Sequence, residues 1–212
     1  MRHTKTDARS LVPLVVVGLI GSLFMFALLG DQVEDRRAAG WDHAILDLIK
    51  YFPRTPGDRQ IGLATYAAVL AAALVPLVLL WKRRMREALF WALAIGGVLA
   101  LDPLLKNSFR RPSVGGGNGY SFPSGSAMLS VAVAAAIVLL ARRGKLLLAL
   151  AGAIIVIVYG ISIVRAEWHY PTDVLAGWAL SFAWVIALWL VFAAPSFNRL
   201  RKTASLRRRD EE

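Results

Sequence analysis

The chain has 212 residues, 57% of them hydrophobic, no cysteine and a formal net charge of +11. So large an apolar fraction exceeds what a soluble globule of this length would bury, and composition therefore predicts a membrane protein with the lipid bilayer as its partner. Most basic residues stand in short loops and tails beside apolar runs, where they orient membrane spans, so we predict no nucleic-acid site. The absence of cysteine excludes a thiolate nucleophile, a disulfide and a cysteine metal site.

Six apolar segments have about the length that a bilayer requires, roughly 20 residues at 1.5 Å rise per residue. They cover residues 11–30, 61–81, 88–105, 124–141, 146–164 and 173–194. The third is interrupted near its end by Asp102, Pro103 and Lys106, and the fourth is rich in alanine. We predict an all-α, polytopic bundle of six transmembrane helices that forms one domain over residues 1–212.

Sixteen of the 25 basic residues lie in four regions that share one side of the membrane if six spans alternate: the N-terminus, the turns near 82–86 and 142–145, and the C-terminal tail. The positive-inside rule makes that side cytoplasmic. Residues 1–10 and 195–212 are thus predicted to be cytoplasmic tails, in a bacterium on the inner face of the inner membrane, and residues 31–60 an extracytoplasmic loop. An apolar stripe within 41–52 predicts a short helix, either flat at the interface or packed on the bundle.

A histidine and an aspartate stand four residues apart where a polar connection enters the sixth span. If the segment turns helical near Tyr170, the carboxylate of Asp173 can hold one ring nitrogen of His169 and present the other to a substrate. The alternative is a pair of interfacial polar residues that cap a membrane helix.

The connection 106–123 is basic and rich in glycine, and the next span opens with Ser124 and Gly125. Its cations and the backbone N–H groups of a helix N-terminus favour a phosphate. Taken singly, the basic residues fit headgroup anchors, Ser124 fits a helix cap, and the glycines fit a flexible loop. Their occurrence on the same predicted side as His169 favours a phosphate site.

Three segments carry a family resemblance: Lys106 with Arg111-Pro112, then Phe122-Pro123-Ser124-Gly125, then His-Tyr-Pro-Thr-Asp-Val-Leu-Ala-Gly at 169–177. Together they resemble the type 2 phosphatidic acid phosphatases, integral membrane lipid phosphatases related to the vanadium haloperoxidases. The resemblance implies a PAP2-like bundle, a lipid phosphate substrate such as phosphatidate or polyprenyl diphosphate, and neither a metal nor another cofactor. It implies that His169 attacks phosphorus to form a phosphohistidine, that Asp173 orients it, and that the phosphate ligands are Lys106, Ser124 and Gly125.

The chain departs from the family pattern at three places. Arg111-Pro112 follows Lys106 after four residues instead of six, which leaves Arg111 a plausible phosphate ligand, and Ser113 stands at the usual arginine position. Ser126 occupies the catalytic position of the histidine that protonates the leaving group in the family. A neutral hydroxyl cannot donate that proton at about pH 7. Ile163 replaces an arginine, and Arg165 can substitute for it as a phosphate ligand if the loop turns its side chain inward.

Removal of a positioned acid costs about 10²- to 10⁴-fold in rate, but the need for an acid depends on the leaving group. A lipid alkoxide requires protonation, whereas a phosphate that leaves from a diphosphate needs much less help, so we expect a preference for lipid diphosphates. A serine placed at position 126 to replace a histidine and inactivate the protein would give the same sequence.

Two other function classes remain. One is a relative that binds lipid phosphate or a protein partner without turnover. The other is a small transporter, for which the sequence lacks clear intramembrane charges and broken helices.

Overall fold

The computed structural model describes residues 8–33, 35, 39–50, 61–114 and 119–209. Seven helices lie within these residues: α1 (Ala8–Asp31), α2 (Gly40–Lys50), α3 (Ile61–Trp81), α4 (Met85–Phe109), α5 (Gly125–Leu140), α6 (Lys145–Arg165) and α7 (Pro171–Arg209). The only extended pairing among the described residues is an isolated antiparallel bridge between Pro112 and Tyr120. The protein is therefore all-helical, as predicted. Residues 1–7, 51–60, 115–118 and 210–212, which include parts of both predicted tails and of the first loop, lie outside the described residues.

Within the described residues, four helical segments are long and apolar enough to cross a membrane: Pro13–Asp31, Met85–Phe109, Lys145–Arg165 and Pro171–Phe192. The apolar segments Ala68–Trp81 and Gly125–Leu140 are shorter. The 16 residues of α5 extend about 24 Å, less than the roughly 30 Å of a hydrocarbon core. The prediction of an integral membrane protein with several apolar helices is supported, whereas the count of six spans is not confirmed.

The ends of two helices differ from the predicted boundaries. Helix α4 continues past Asp102 and Pro103 to Phe109, and the carboxylate of Asp102 pairs with Lys106 one turn later along the same helix. Helix α7 continues beyond residue 194 through Arg209, where leucine, lysine and arginine are good helix formers. Most of the predicted C-terminal tail is therefore helical.

Helix α5 occupies the centre of the bundle and contacts α3, α4, α6 and α7, while α1 packs along α7. A core of buried side chains joins the central helices: Trp91, Val98, Met128, Ala132 and Val185. Polar groups add specific links, since Trp91 donates to the carbonyl of Ala72 at 3.1 Å and Ser181 to that of Met128 at 2.7 Å. Such interhelical hydrogen bonds stabilise bundles whose outer surface is as apolar as their core.

The apolar stripe predicted within 41–52 begins in α2, which packs on the bundle. Leu46 is buried in a cluster with Ile163 and Val174 from α6 and α7, whereas Leu48 is 59% exposed on the other side of α2. The described part of this loop helix therefore covers the end of the bundle at which α6 ends and α7 begins.

Candidate active site

The starts of α5 and α7 are joined by one backbone hydrogen bond. Ser124 caps α5, and its hydroxyl accepts from the N–H of Ala127 at 3.4 Å. The N–H of Ser124 itself donates to the carbonyl oxygen of Asp173 at 3.0 Å. The N–H groups of Gly125 and Ser126, in the first turn of α5, have no acceptor within their own helix. The two connections that the sequence placed on one side of the membrane therefore meet at one end of the bundle.

Gly177 makes this junction possible. A Cβ atom added at Gly177 would lie 2.7 Å from the carbonyl oxygen of Ser124 and 3.3 Å from the side chain of Met128. Any larger residue would push α7 away from the start of α5, since the obstructing oxygen belongs to the backbone. The glycine of the segment 169–177 thus has a packing role.

The imidazole of His169 is held through its Nδ1 atom. This nitrogen lies 3.1 Å from the carbonyl oxygen of Ser121 and 3.5 Å from Oδ2 of Asp173. Both partners are acceptors, so Nδ1 carries the proton and the lone pair of a neutral ring lies on Nε2. The side chain is 15% exposed. The sequence predicted Asp173 as a partner of the ring, and the shorter contact of Nδ1 is with the backbone of Ser121.

Asp173 is fully buried, and hydrogen bonds hold both oxygens of its carboxylate. Its Oδ2 accepts from the N–H of Tyr170 at 2.9 Å, and its Oδ1 accepts from Nη1 of Arg111 at 2.6 Å. The position of this carboxylate beside His169 is therefore defined by the first turn of α7 and by an arginine from the preceding connection.

Arg111 is fully buried, with carboxylates on both sides. Its Nη2 donates to Asp42 at 2.6 Å, and its Nη1 donates to Thr172 at 2.5 Å as well as to Asp173. The ring of Tyr170 lies 4.0 Å from the guanidinium carbon, an arrangement that favours a cation. These contacts engage Nη1 and Nη2 of Arg111, predicted as a phosphate ligand, with groups of the protein itself, whereas its buried Nε has no hydrogen-bond partner.

Asp42 and Thr172 belong to this buried network, and sequence reasoning did not single them out. Oδ1 of Asp42 accepts from the N–H of Thr172 at 2.9 Å, and Oδ2 accepts from its hydroxyl at 2.7 Å. Asp42 lies 130 positions before Thr172, and no local pattern connects them. The one feature of the sequence that could have indicated Asp42 is its position, as an acidic residue, in the first turn of an amphipathic segment.

Lys106 lies beside the start of α5 through its ion-pair partner. Its Nζ is 3.0 Å from Oδ1 of Asp102, and both side chains are about a quarter exposed. The Asp102 carboxylate in turn contacts Gly125, since a Cβ atom there would lie 2.5 Å from Oδ1. The structure thus brings Lys106 to the cap of α5 with a carboxylate next to it.

The remaining predicted site residues lie at the same end of the bundle. The hydroxyl of Ser126 is 3.3 Å from that of Ser124. Arg165 is partly buried in the last turn of α6, four residues before His169. Among residues 8–33, 35, 39–50, 61–114 and 119–209, no group of three or more histidine or acidic side chains is placed to hold a metal ion.

An apolar cavity of about 320 Å³ leads away from Ser126 between α3, α5 and α6. Its lining combines small residues and aliphatic chains, among them Ala68, Val133, Ala151 and Ile155, with the hydroxyls of Ser126 and Ser130. Such a shape and lining suit a hydrocarbon chain, with a few polar groups at one end.

Residues 100–196 match the family model of the PAP2 superfamily. The match covers slightly less than half of the chain. All the residues predicted for catalysis or phosphate binding fall within the match, whereas Asp42 falls outside it. No curated protein matches the sequence.

The chain is also similar in fold to the crystal structure of a transmembrane PAP2 type phosphatidylglycerolphosphate phosphatase from Bacillus subtilis. The TM-score is 0.68, the identity is 18%, and the match covers 85% of this chain and 96% of that chain. At this identity, the likeness shows a shared fold. It extends well beyond the family match, so most of the chain shares the fold of that structure.

Proposed function

We propose that this PAP2 protein is a membrane lipid phosphatase that hydrolyses a lipid phosphate or diphosphate through a phosphohistidine intermediate on His169. Its family and its fold support a phosphatase role in general. The observation that carries the proposal is the arrangement around His169. Nδ1 is held by Ser121 and Asp173, and Asp173 is bonded through its carbonyl to the cap of α5.

The reaction has two steps in this proposal. The lone pair of Nε2 attacks phosphorus, a P–N bond forms, and the P–O bond to the leaving group breaks. Water then attacks the phosphohistidine, the P–N bond breaks, and orthophosphate and a neutral imidazole are released. Asp173 stabilises the positive charge that the ring acquires, while the carbonyl of Ser121 fixes the ring orientation.

The phosphoryl oxygens are bound at the start of α5. The backbone N–H groups of Gly125 and Ser126 and the dipole of α5 favour an anion there. Lys106, which reaches this position beside Asp102, supplies positive charge, and Arg165 at the end of α6 adds a guanidinium. The N–H of Ser124 already donates to Asp173, so Ser124 contributes to the phosphate site through its hydroxyl and its cap.

Ser126 makes lipid diphosphates the favoured substrates. Its hydroxyl pairs with another hydroxyl, that of Ser124, and provides no acid for a poor leaving group. A diphosphate releases a phosphate-bearing lipid, which leaves without protonation, whereas a monophosphate must release an alkoxide. The hydrocarbon chain occupies the apolar cavity that begins at Ser126, and the lipid enters it sideways from the bilayer.

The active site faces the extracytoplasmic side, and both termini are cytoplasmic. The support for this orientation is that the basic turns lie at the end of the bundle opposite to the active site. The turns that carry Lys82, Arg83 and Arg84, and Arg142 and Arg143, join the helix ends opposite to the starts of α5 and α7, and basic turns favour the cytoplasmic side.

The test is phosphate release by the purified protein from a polyprenyl diphosphate, phosphatidate and phosphatidylglycerolphosphate, with and without vanadate. We expect turnover, fastest on the diphosphate, that His169→Ala abolishes and vanadate inhibits. His43→Ala is the control, because His43 is an exposed histidine that contacts the ring of Tyr170, at a centroid distance of 6.1 Å, and is not among the groups that hold Nδ1 of His169. Turnover that survives in His169→Ala would contradict the mechanism, and faster release from a monophosphate would contradict the substrate preference.

A second candidate is a relative that binds lipid phosphate or a protein partner without turnover. It is favoured by Ser126 and by the carboxylate of Asp102, which neutralises Lys106 at the start of α5. It predicts binding of vanadate by the wild-type protein with no phosphate release from any member of the panel.

A further inference from the structure

We propose that Asp42 is a positioning residue for His169 that acts through Arg111 and Asp173. The proposal extends the proposed function to a residue of the loop helix α2. Four side chains form one chain of contacts from Asp42 to Arg111, to Asp173 and to His169. Three of the four are almost completely buried.

Asp42 is saturated with donors. Its two oxygens accept from Nη2 of Arg111 at 2.6 Å, from the N–H and hydroxyl of Thr172, and from the N–H of Ala39 at 3.1 Å. Every one of these partners is a donor, which matches an ionised carboxylate. A buried charge with this many hydrogen bonds is held in one geometry, and it holds its partners in turn.

One guanidinium therefore lies between two carboxylates. Asp42 binds Nη2 of Arg111, and this contact orients the guanidinium so that Nη1 binds Oδ1 of Asp173. The other oxygen of Asp173, Oδ2, then faces His169. The trio of Asp42, Arg111 and Asp173 has a formal charge of −1. That charge favours the cationic ring that forms when Nε2 attacks phosphorus. Loss of the charge on Asp42 leaves a neutral trio and draws Asp173 towards Arg111.

A merely structural role predicts different results. If Asp42 only anchored α2 to Thr172, its replacement would lower the stability of the protein, and the folded molecules would retain the ring geometry of His169. A positioning role predicts a change at His169 in folded protein, because the fork of Arg111 transmits the position of one carboxylate to the other.

The experiment uses Asp42→Asn, which preserves size and removes charge, with Asp31→Asn, at the exposed aspartate that ends α1, as the control. Replacement of a partner that holds a reacting group typically costs about 10- to 100-fold. We expect kcat on the polyprenyl diphosphate to fall by about that factor in Asp42→Asn, with KM changed by less than about threefold. Asp31→Asn retains the wild-type values.

A second measurement is independent of turnover. The imidazole ¹⁵N signals of His169, assigned by their loss in His169→Ala, report the tautomer at about pH 8.5, where an ordinary histidine is neutral. We expect protonated Nδ1 and unprotonated Nε2 in wild type, and a mixture of tautomers in Asp42→Asn. Folded Asp42→Asn with the wild-type tautomer and a kcat within about twofold of wild type would overturn the proposal.

Two further outcomes are distinguishable. If wild type releases no phosphate from any substrate, the proposed function fails and the tautomer measurement alone decides on Asp42. If Asp42→Asn does not fold, Arg111→Lys replaces it, because an ammonium keeps the charge and cannot hold two carboxylates in a fixed fork. A wild-type tautomer in folded Arg111→Lys would equally overturn the proposal.

Discussion

The N–H of Ser124 donates to the carbonyl oxygen of Asp173 at 3.0 Å. Through this bond, the first turn of α5, where a phosphate is favoured, is joined to the first turn of α7, which carries the carboxylate beside His169. The bond consumes one of the amides that would otherwise be available to an anion. It also keeps the distance between the two helix starts constant, which an in-line attack on phosphorus requires.

Replacement of Gly177 by alanine is expected to disturb this junction. The new Cβ atom would lie 2.7 Å from the carbonyl oxygen of Ser124, and overpacking of this kind costs about 1–3 kcal/mol. Thermal unfolding in detergent should show a lower midpoint, and phosphate release should fall. Gly96→Ala is the control, because nothing lies within 4 Å of its Cβ position. An equally stable and active Gly177→Ala would show that the close approach is not needed.

Lys106 and Asp102 are expected to respond in opposite directions. If Lys106 binds the phosphoryl group, Lys106→Gln should weaken inhibition by vanadate and slow turnover by about 10²-fold, since a lost oxyanion donor costs about 3 kcal/mol. Asp102→Asn removes the carboxylate 3.0 Å from Nζ and should strengthen vanadate binding, because the full charge of Lys106 is then available. Inhibition constants for vanadate measure both effects. A weaker inhibition in Asp102→Asn would argue that the ion pair positions Lys106.

Ser126→His is expected to restore an acid for the leaving group. The serine lies at the mouth of a cavity of about 320 Å³, which leaves room for an imidazole. Turnover of phosphatidate should rise by about 10²-fold or more, whereas turnover of a polyprenyl diphosphate should change little. The ratio of kcat/KM values for the two substrates is the measurement. An unchanged ratio would argue that the loss of the histidine is not what limits this site.

A bulky residue in the apolar cavity is expected to exclude the lipid chain. Ala151→Phe places a ring among residues that line the cavity. It should raise KM for a long-chain lipid phosphate by about tenfold or more, because the loss of an apolar contact costs about 1–3 kcal/mol. Release from a short-chain, soluble phosphate ester should be unchanged. Ile154→Phe is the control on the same helix, since Ile154 is 63% exposed. Equal KM values in the two variants would place the chain elsewhere.

The helices themselves followed from local properties of the sequence. The predicted span 61–81 coincides with α3, and most of the other ends agree within a few residues, because long apolar runs form helices wherever backbone groups cannot reach water. The prediction ended the third span at residue 105, near Asp102 and Lys106, whereas α4 contains both residues and ends at Phe109. Helix α5 has only 16 residues. Whether it spans a membrane depends on the helices packed around it, which its own length and hydropathy do not describe.

For this protein, the sequence by itself determined the membrane character, the all-helical class and the candidates His169 and Asp173, because these depend on composition and on residues close together in the chain. Only the tertiary structure decided which groups surround them. It brought the carbonyl of Ser121 to Nδ1 of His169. It also placed Arg111 between Asp173 and Asp42, which lies 69 positions before Arg111 in the chain. The physical reason is that a buried ion pair depends on how distant segments pack, and no spacing along the chain encodes that distance.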